Sequence, residues 1–88
     1  MGNLYVGDIV RPNYAFQDNK TGDKIHNLTG IIKIIQSNLI GVEFNQYIGG
    51  HDLQIMADNN PKYMGKSGYC WCLDRRDLEL INKIRYIE

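Results

Sequence analysis

The sequence predicts an all-β fold: a small barrel of about five strands, with one short helical turn before the last. Three observations predict it. Gly30-Ile31-Ile32-Lys33-Ile34-Ile35 places four β-branched residues in five positions, which favours strand over helix. Leu39 to Phe44 alternates, with Ile40, Val42 and Phe44 on one face and Gly41 and Glu43 on the other, the mark of a half-buried strand. Gly68-Tyr69-Cys70-Trp71-Cys72-Leu73 reads as a further strand carrying the lone tryptophan, set off by the glycine-punctuated Gly49-Gly50-His51-Asp52.

The elements follow in order. Asp8-Ile9-Val10-Arg11 opens a first strand after Gly7, ended by Pro12, which has no N–H for a ladder. Asn13 to Asn27 is polar and turn-rich and reads as a long loop; Tyr14 and Phe16 lie two apart in it, so both side chains can point the same way. Thr29 to Gln36 is the second strand, Ser37-Asn38 the turn, and Leu39 to Phe44 the third, with Ile32 and Ile34 facing its apolar side across the core. Asn45 to Ser67 is a long connection for so small a domain, a length often tied to function. Leu53-Gln54-Ile55-Met56 is a short extended segment within it. Tyr69 to Leu73 is the next strand. Asp74-Arg75-Arg76-Asp77 is one helical turn with Asp74 as its N-cap, and Leu78-Glu79-Leu80-Ile81 closes the sheet. Ile84 and Ile87 suggest a docked tail.

The chain has 88 residues, enough for a single domain spanning 1–88 with one small core. Its 10 Lys+Arg balance 10 Asp+Glu. A formal net charge of zero argues against a general nucleic-acid coater, which needs a basic excess to neutralise phosphates. The start Met1-Gly2-Asn3-Leu4-Tyr5-Val6 has no basic segment followed by an apolar run, so neither a secretory signal nor a transmembrane helix is expected. Gly2 is not a myristoylation start, because Val6 stands where that motif wants Ser or Thr. Cys70 and Cys72 are one residue apart, too close for an unstrained disulfide. Two free thiols fit a reducing cytoplasm. Twelve Ile and nine Asn against two Ala is the bias that AT-rich coding DNA produces, and points to a low-GC bacterium or its phage.

The layout of Gly7-Asp8-x-Val10, a long loop, two strands about a tight turn, a Trp-bearing strand, a helical turn and a final strand has the order of an SH3-like barrel. Gly41-Val42-Glu43-Phe44, then Gly50-His51-Asp52, then Gly68-x-Cys70-Trp71, then Asp77-Leu78-Glu79 resemble the corresponding stretches of small phage and prophage proteins with that fold. Cys72 stands where a second Trp is usual in them. The resemblance runs from Gly7 to Ile81 outside the long loops. It implies an SH3-like β-barrel and says little of activity. The Ala-Leu-Tyr-Asp-Tyr stretch that lines the proline-peptide groove of signalling SH3 domains is absent, and Tyr14-Ala15-Phe16 is a poor substitute.

Several constellations bear on chemistry. His51, Asp52, Cys70 and Cys72 carry donors suited to zinc, but Cys-x-Cys lacks the usual knuckle spacing of about two to four residues. Two small buried hydrophobes on one strand face is the plainer reading. A cysteine nucleophile with His51 as its base lacks a third orienting group and an oxyanion hole. Gly65-Lys66-Ser67 matches the end of a phosphate-binding loop, but Asn60 stands where the earlier glycine belongs. At Gly49-Gly50-His51-Asp52 the glycines allow close backbone approach, and His51 and Asp52 fix a turn by capping N–H groups. Trp71 points opposite to the cysteines, toward the core; on the outside it would be an anchor for a partner. Arg75-Arg76 with Arg11 or Lys33 would make a phosphate-reading patch, against which stands local pairing with Asp74 and Asp77.

No catalytic constellation and no cofactor motif emerges. The reading is a non-enzymatic, cytoplasmic binding protein that inhibits or modulates a host protein, including a host anti-phage defence factor, through a protein–protein interface. Tyr14, Phe16, Tyr47, His51, Tyr63 and Trp71 are the candidate partner-binding residues, on the Asn45 to Ser67 loop, the aromatic loop and the Trp strand. The alternatives are a small-molecule sponge sequestering a defence nucleotide in a pocket between subunits, and a nucleic-acid-binding barrel.

Overall fold

The computed structural model describes residues 3–13 and 25–83. These form one antiparallel sheet of five strands in the order β4-β3-β2-β1-β5: β1 Ile9–Pro12, β2 Gly30–Gln36, β3 Leu39–Phe44, β4 Cys70–Asp74 and β5 Leu78–Asn82. The described residues also form two 3-10 turns, Pro61–Tyr63 and Arg75–Asp77. The all-β class is as expected from the sequence, and so is the turn before the last strand. The sheet is open: β4 and β5 are its two edges, so the expected closure into a barrel is not among its pairings.

Local chemistry explains the elements. The run of isoleucines makes β2, and Gln36 pairs with Leu39 across the two-residue Ser37-Asn38 turn. Ser37 takes up the left-handed conformation that a connection this short demands, φ 57°. Pro12 is the last residue of β1 and pairs with Leu78. Asp74 caps the second 3-10 turn by accepting from the Arg76 N–H at 3.0 Å. That turn delivers the chain from β4 at one edge to β5 at the other.

The inner face carries the main core of Val10, Ile32, Ile40, Val42, Phe44, Ile48, Leu73 and Leu78, with Leu4 and Ile25. Asp8 is buried beside it and accepts from the Tyr5 N–H at 2.9 Å and from Lys83 Nζ at 3.3 Å. The strip of residues before β1 is thereby tied to the residue that follows β5.

Three expectations are corrected. Ile32 and Ile34 do not share a face. Ile32 pairs with Val42 and Ile34 with Gly41, so β2 advances two residues while β3 advances one. This bulge rotates Ile34 out of the main core. It joins a second cluster on the other side of the sheet, with Leu53, Met56, Ala57 and Cys70. Second, the face carrying Gly41 is not open to water: Gly41 is buried, roofed by the loop. Third, Leu53 to Met56 is not extended. Leu53 has φ 66°, and the Ala57 N–H closes a turn onto the Leu53 carbonyl at 2.9 Å. A turn lets Leu53 and Met56 point down onto the sheet together, where full burial of such side chains is worth about 2 kcal/mol each. Tyr14, Phe16, Ile84 and Ile87 lie outside the described residues.

Candidate functional site

The loop between β3 and β4 is the feature the fold presents. Its two arms are zipped together at the base. Ile48 and Gly50 N–H groups both donate to the Gly68 carbonyl, at 2.9 and 3.1 Å, and His51 exchanges N–H···O bonds with Cys70 at 2.9 and 3.1 Å. Gly50 lies so close to the Cys70 carbonyl that a side chain there would collide with it. Part of the β4 edge is thus covered by the loop's own chain.

His51 organises the base. Its ring stacks on Trp71, centroids 5.2 Å apart and planes 29° apart. Its Nδ1 accepts the Leu53 N–H at 3.1 Å. That bond leaves the proton of a neutral ring on Nε2, which faces Cys72 Sγ at 3.9 Å. Asp52 Oδ1 accepts the Gln54 N–H at 3.0 Å. His51 and Asp52 therefore cap successive N–H groups of one turn, as the sequence suggested.

The Cys72–His51 neighbours have the composition of a nucleophile and base but the electrostatics of two neutral groups. Burial lowers the pKa of His51, with Asp52 pulling weakly the other way, and burial raises that of Cys72. Both shifts oppose a thiolate–imidazolium pair. The Cys70 thiol is pushed up to about 12, by burial first and then by the Glu43 carboxylate. Cys72 Sγ instead contacts Met56 Sδ at 3.2 Å, inside the second core cluster. Among the described residues no three His, Cys, Asp or Glu side chains converge on a point that would hold a metal.

Above this base the loop is held by its own hydrogen bonds. Asp58 N–H donates to the Ile55 carbonyl at 3.1 Å, Asn59 to Gln54 at 3.0 Å and Asn60 to Ala57 at 3.0 Å. Gln54 Nε2 reaches Asn59 Oδ1 at 2.6 Å, and Gln36 Nε2 ties the Met56 carbonyl back to β2 at 2.7 Å. Asp58 and Asn59 supply the left-handed conformations this path needs, φ 53° and 62°. Asn60 then caps Pro61–Tyr63 through the Lys62 N–H at 3.0 Å.

The same rigid loop leaves large apolar side chains in solvent. Ile55, at its tip, is 94% exposed, and Tyr47 and Tyr63 are 67% and 45% exposed. Tyr47 meets Tyr69 edge-on with centroids 6.0 Å apart. It lies over Gly68, whose φ of 86° and lack of Cβ make room for the ring. Lys66 Nζ sits 4.4 Å from the Tyr69 ring centroid and Lys62 Nζ 5.6 Å from that of Tyr63.

Tyr47 and Tyr63 thus stand on the loop surface, as the sequence suggested. His51 and Trp71 are half-buried and stacked on each other beneath it, with Trp71 packed against the main core. Ile55, Lys62 and Lys66 join the surface unforeseen, beside Tyr69, which is half-buried against the second cluster. The only local signal was Asp58-Asn59-Asn60-Pro61, a turn cluster that forces the preceding residues into a tip. The four cations considered for phosphate reading are engaged within the chain. Arg11 pairs with Glu79 at 2.8 Å, Lys33 with Glu43 at 3.9 Å and Arg76 with Asp74 at 3.7 Å, while Arg75 donates to the Ser37 carbonyl at 3.3 Å. No described helix is long and apolar enough to cross a membrane. The chain matches no protein-family model, no curated protein and no solved structure.

Proposed function

We propose that this chain is a non-enzymatic binding protein whose loop between β3 and β4 docks on another protein. One observation carries the reading. The loop is braced by hydrogen bonds at nearly every turn, yet it presents Ile55 at 94% exposure. A side chain of that size held in water lowers no free energy in the isolated chain. Preorganised on a rigid turn, it enters a partner's pocket without the ordering cost a floppy loop would bear. Tyr47 and Tyr63, exposed on the same loop, add aromatic contact area. His51 and Trp71 act one layer below, fixing the loop rather than touching the partner.

The resemblance to small phage and prophage proteins, together with the size of the chain, supports a host protein as the partner. Inhibition or modulation of that protein, including a defence factor, is the activity proposed. Two unbridged thiols fit action in the host cytoplasm.

The test is affinity capture from lysate of the infected host with the tagged protein, followed by mass spectrometry of proteins and small molecules. The expected result is one stoichiometric protein, retained by the wild type and lost by Ile55→Asp and by Tyr47→Ala combined with Tyr63→Ala. Undiminished retention by both variants would remove the loop from the interface. A co-eluting nucleotide without any protein would replace the reading with a sponge, and nucleic acid alone would replace it with a nucleic-acid binder.

A further inference from the structure

The charges beside the exposed tyrosines specify the partner further. Lys33 is matched by Glu43, Arg11 by Glu79, Arg76 by Asp74 and Lys83 by Asp8. Lys62 and Lys66 differ. Each ammonium lies over a tyrosine ring, and neither has a carboxylate within ion-pair distance among the described residues. Asp58, four residues before Lys62 on the same loop, is exposed and makes no ion pair with it, and two further carboxylates of this region are engaged within the chain. Glu43 Oε1 accepts the Lys66 backbone N–H at 3.2 Å and faces Lys33, and Asp52 Oδ1 holds the Gln54 N–H. Tyr63 and Lys66 are three residues apart, at most about 11 Å along the chain. Lys62 to Tyr69 is one continuous stretch of chain, and the Tyr47 ring joins it at Tyr69; together they make up a strip of sequence carrying two cations and three tyrosines.

We infer that this strip receives an acidic polypeptide segment. The inference rests on the protein-interface reading above and names the chemistry of the partner. Carboxylates meet the two ammoniums, the tyrosine hydroxyls donate to further carboxylate or carbonyl oxygens, and the edge-to-face Tyr47–Tyr69 pair packs on the segment's apolar carbons. Single-stranded nucleic acid is the poorer fit. Lys66 and Lys62 occupy one face of Tyr69 and of Tyr63, the surface that bases would stack on. Among the described residues, Arg11, Lys33, Arg76 and Lys83 are paired with carboxylates and Arg75 donates to the Ser37 carbonyl, which leaves two lysines for a phosphate backbone to follow.

The test is titration of isotope-labelled protein with a glutamate dodecamer, read by amide chemical shifts, with a lysine dodecamer and a thymidine dodecamer as comparators. The glutamate peptide is expected to give saturable shifts at Tyr47 and from Lys62 to Tyr69. These should weaken as salt is raised past the point where the Debye length falls below about 8 Å. Lys62→Glu with Lys66→Glu should weaken binding at least tenfold, and Lys62→Gln with Lys66→Gln by less. Both lysines are exposed, so unchanged melting temperatures will show that the variants fold. Absent shifts, shifts centred on Arg75 and Arg76, or tighter binding of the thymidine dodecamer to the same strip would each overturn the inference. The two readings separate cleanly. A captured partner that needs Ile55 but is indifferent to Lys62 and Lys66 overturns the acidic segment and leaves the interface standing. Glutamate binding by the strip with no dependence of partner capture on Ile55, Tyr47 or Tyr63 does the reverse.

Discussion

Gly41 and Leu53 are packed to the limit of van der Waals contact: a Cβ on Gly41 would lie 3.0 Å from Leu53 Cδ2. Met56 Sδ would stand 3.1 Å from the same point. The absence of a side chain on β3 is what lets the loop lie flat on the sheet, and the loop's position sets that of Ile55. Gly41→Val should therefore destabilise by about 2 kcal/mol through overpacking, and Leu53→Ala by about 3 kcal/mol through the cavity it leaves. Because each change relieves the other, Gly41→Val should cost at least about 1 kcal/mol less in the Leu53→Ala background. Urea unfolding of the four proteins checks this, and strict additivity would show that the two sites are not coupled.

His51 makes stability pH-dependent. Its ordinary pKa is 6.5, and burial lowers it in the folded protein. Below 6.5 the unfolded chain thus binds more protons than the folded one. The contribution is fully present above that pH and is lost as pH falls through the folded value. His51→Asn keeps an acceptor for the Leu53 N–H and does not titrate. The wild type should lose more stability than the variant between about pH 7.5 and about pH 5. Urea midpoints that fall in parallel would show that His51 is not the group responsible.

Cys70 should be inert in the folded protein. Burial and the Glu43 carboxylate push its thiol up to about 12, and the thiol is fully buried. The thiolate is the reactive species, so alkylation by iodoacetamide near neutral pH should be at least about a hundredfold slower than in the urea-unfolded chain. Cys72, partly exposed, should be modified first of the two. Peptide mass spectrometry of a timed alkylation distinguishes them. Rapid modification of Cys70 without unfolding would contradict its placement under the loop.

Asp74 serves the turn that carries the chain from β4 to β5. Its carboxylate accepts the Arg76 N–H at 3.0 Å. Asp74→Ala should lower stability by about 1 kcal/mol, and Asp74→Ser or Asp74→Asn should recover most of that loss. Chemical denaturation of the three variants is the measurement. If Ala and Ser prove equal, the cap contributes nothing.

The isoleucine run, the Ser37-Asn38 turn, the alternation of Ile40, Val42 and Phe44 and the Asp74 cap were legible because each is local: a few adjacent residues decide them through strand propensity, period and capping. The loop was only half legible. His51 and Asp52 announced a turn, since their side chains reach N–H groups two residues on. Tyr47 and Tyr63 announced themselves by type. Ile55 did not, because nothing in Leu53-Gln54-Ile55-Met56 says which of its apolar residues will be buried. An extended path would have sorted them by alternation; the turn actually formed buries Leu53 and Met56 and leaves Ile55 out.

By itself, then, the sequence determined the strands, their turns and the all-β class, because backbone preference and hydrophobic period act over a few residues. Only the tertiary structure decided that the bulge between Ile32 and Ile34 would create a second apolar face, that the loop would cover it at Gly41, and that Ile55, Lys62 and Lys66 would be left facing water. Those outcomes depend on which distant surfaces meet and how much apolar area each pairing removes from water, a competition that no short stretch of residues encodes.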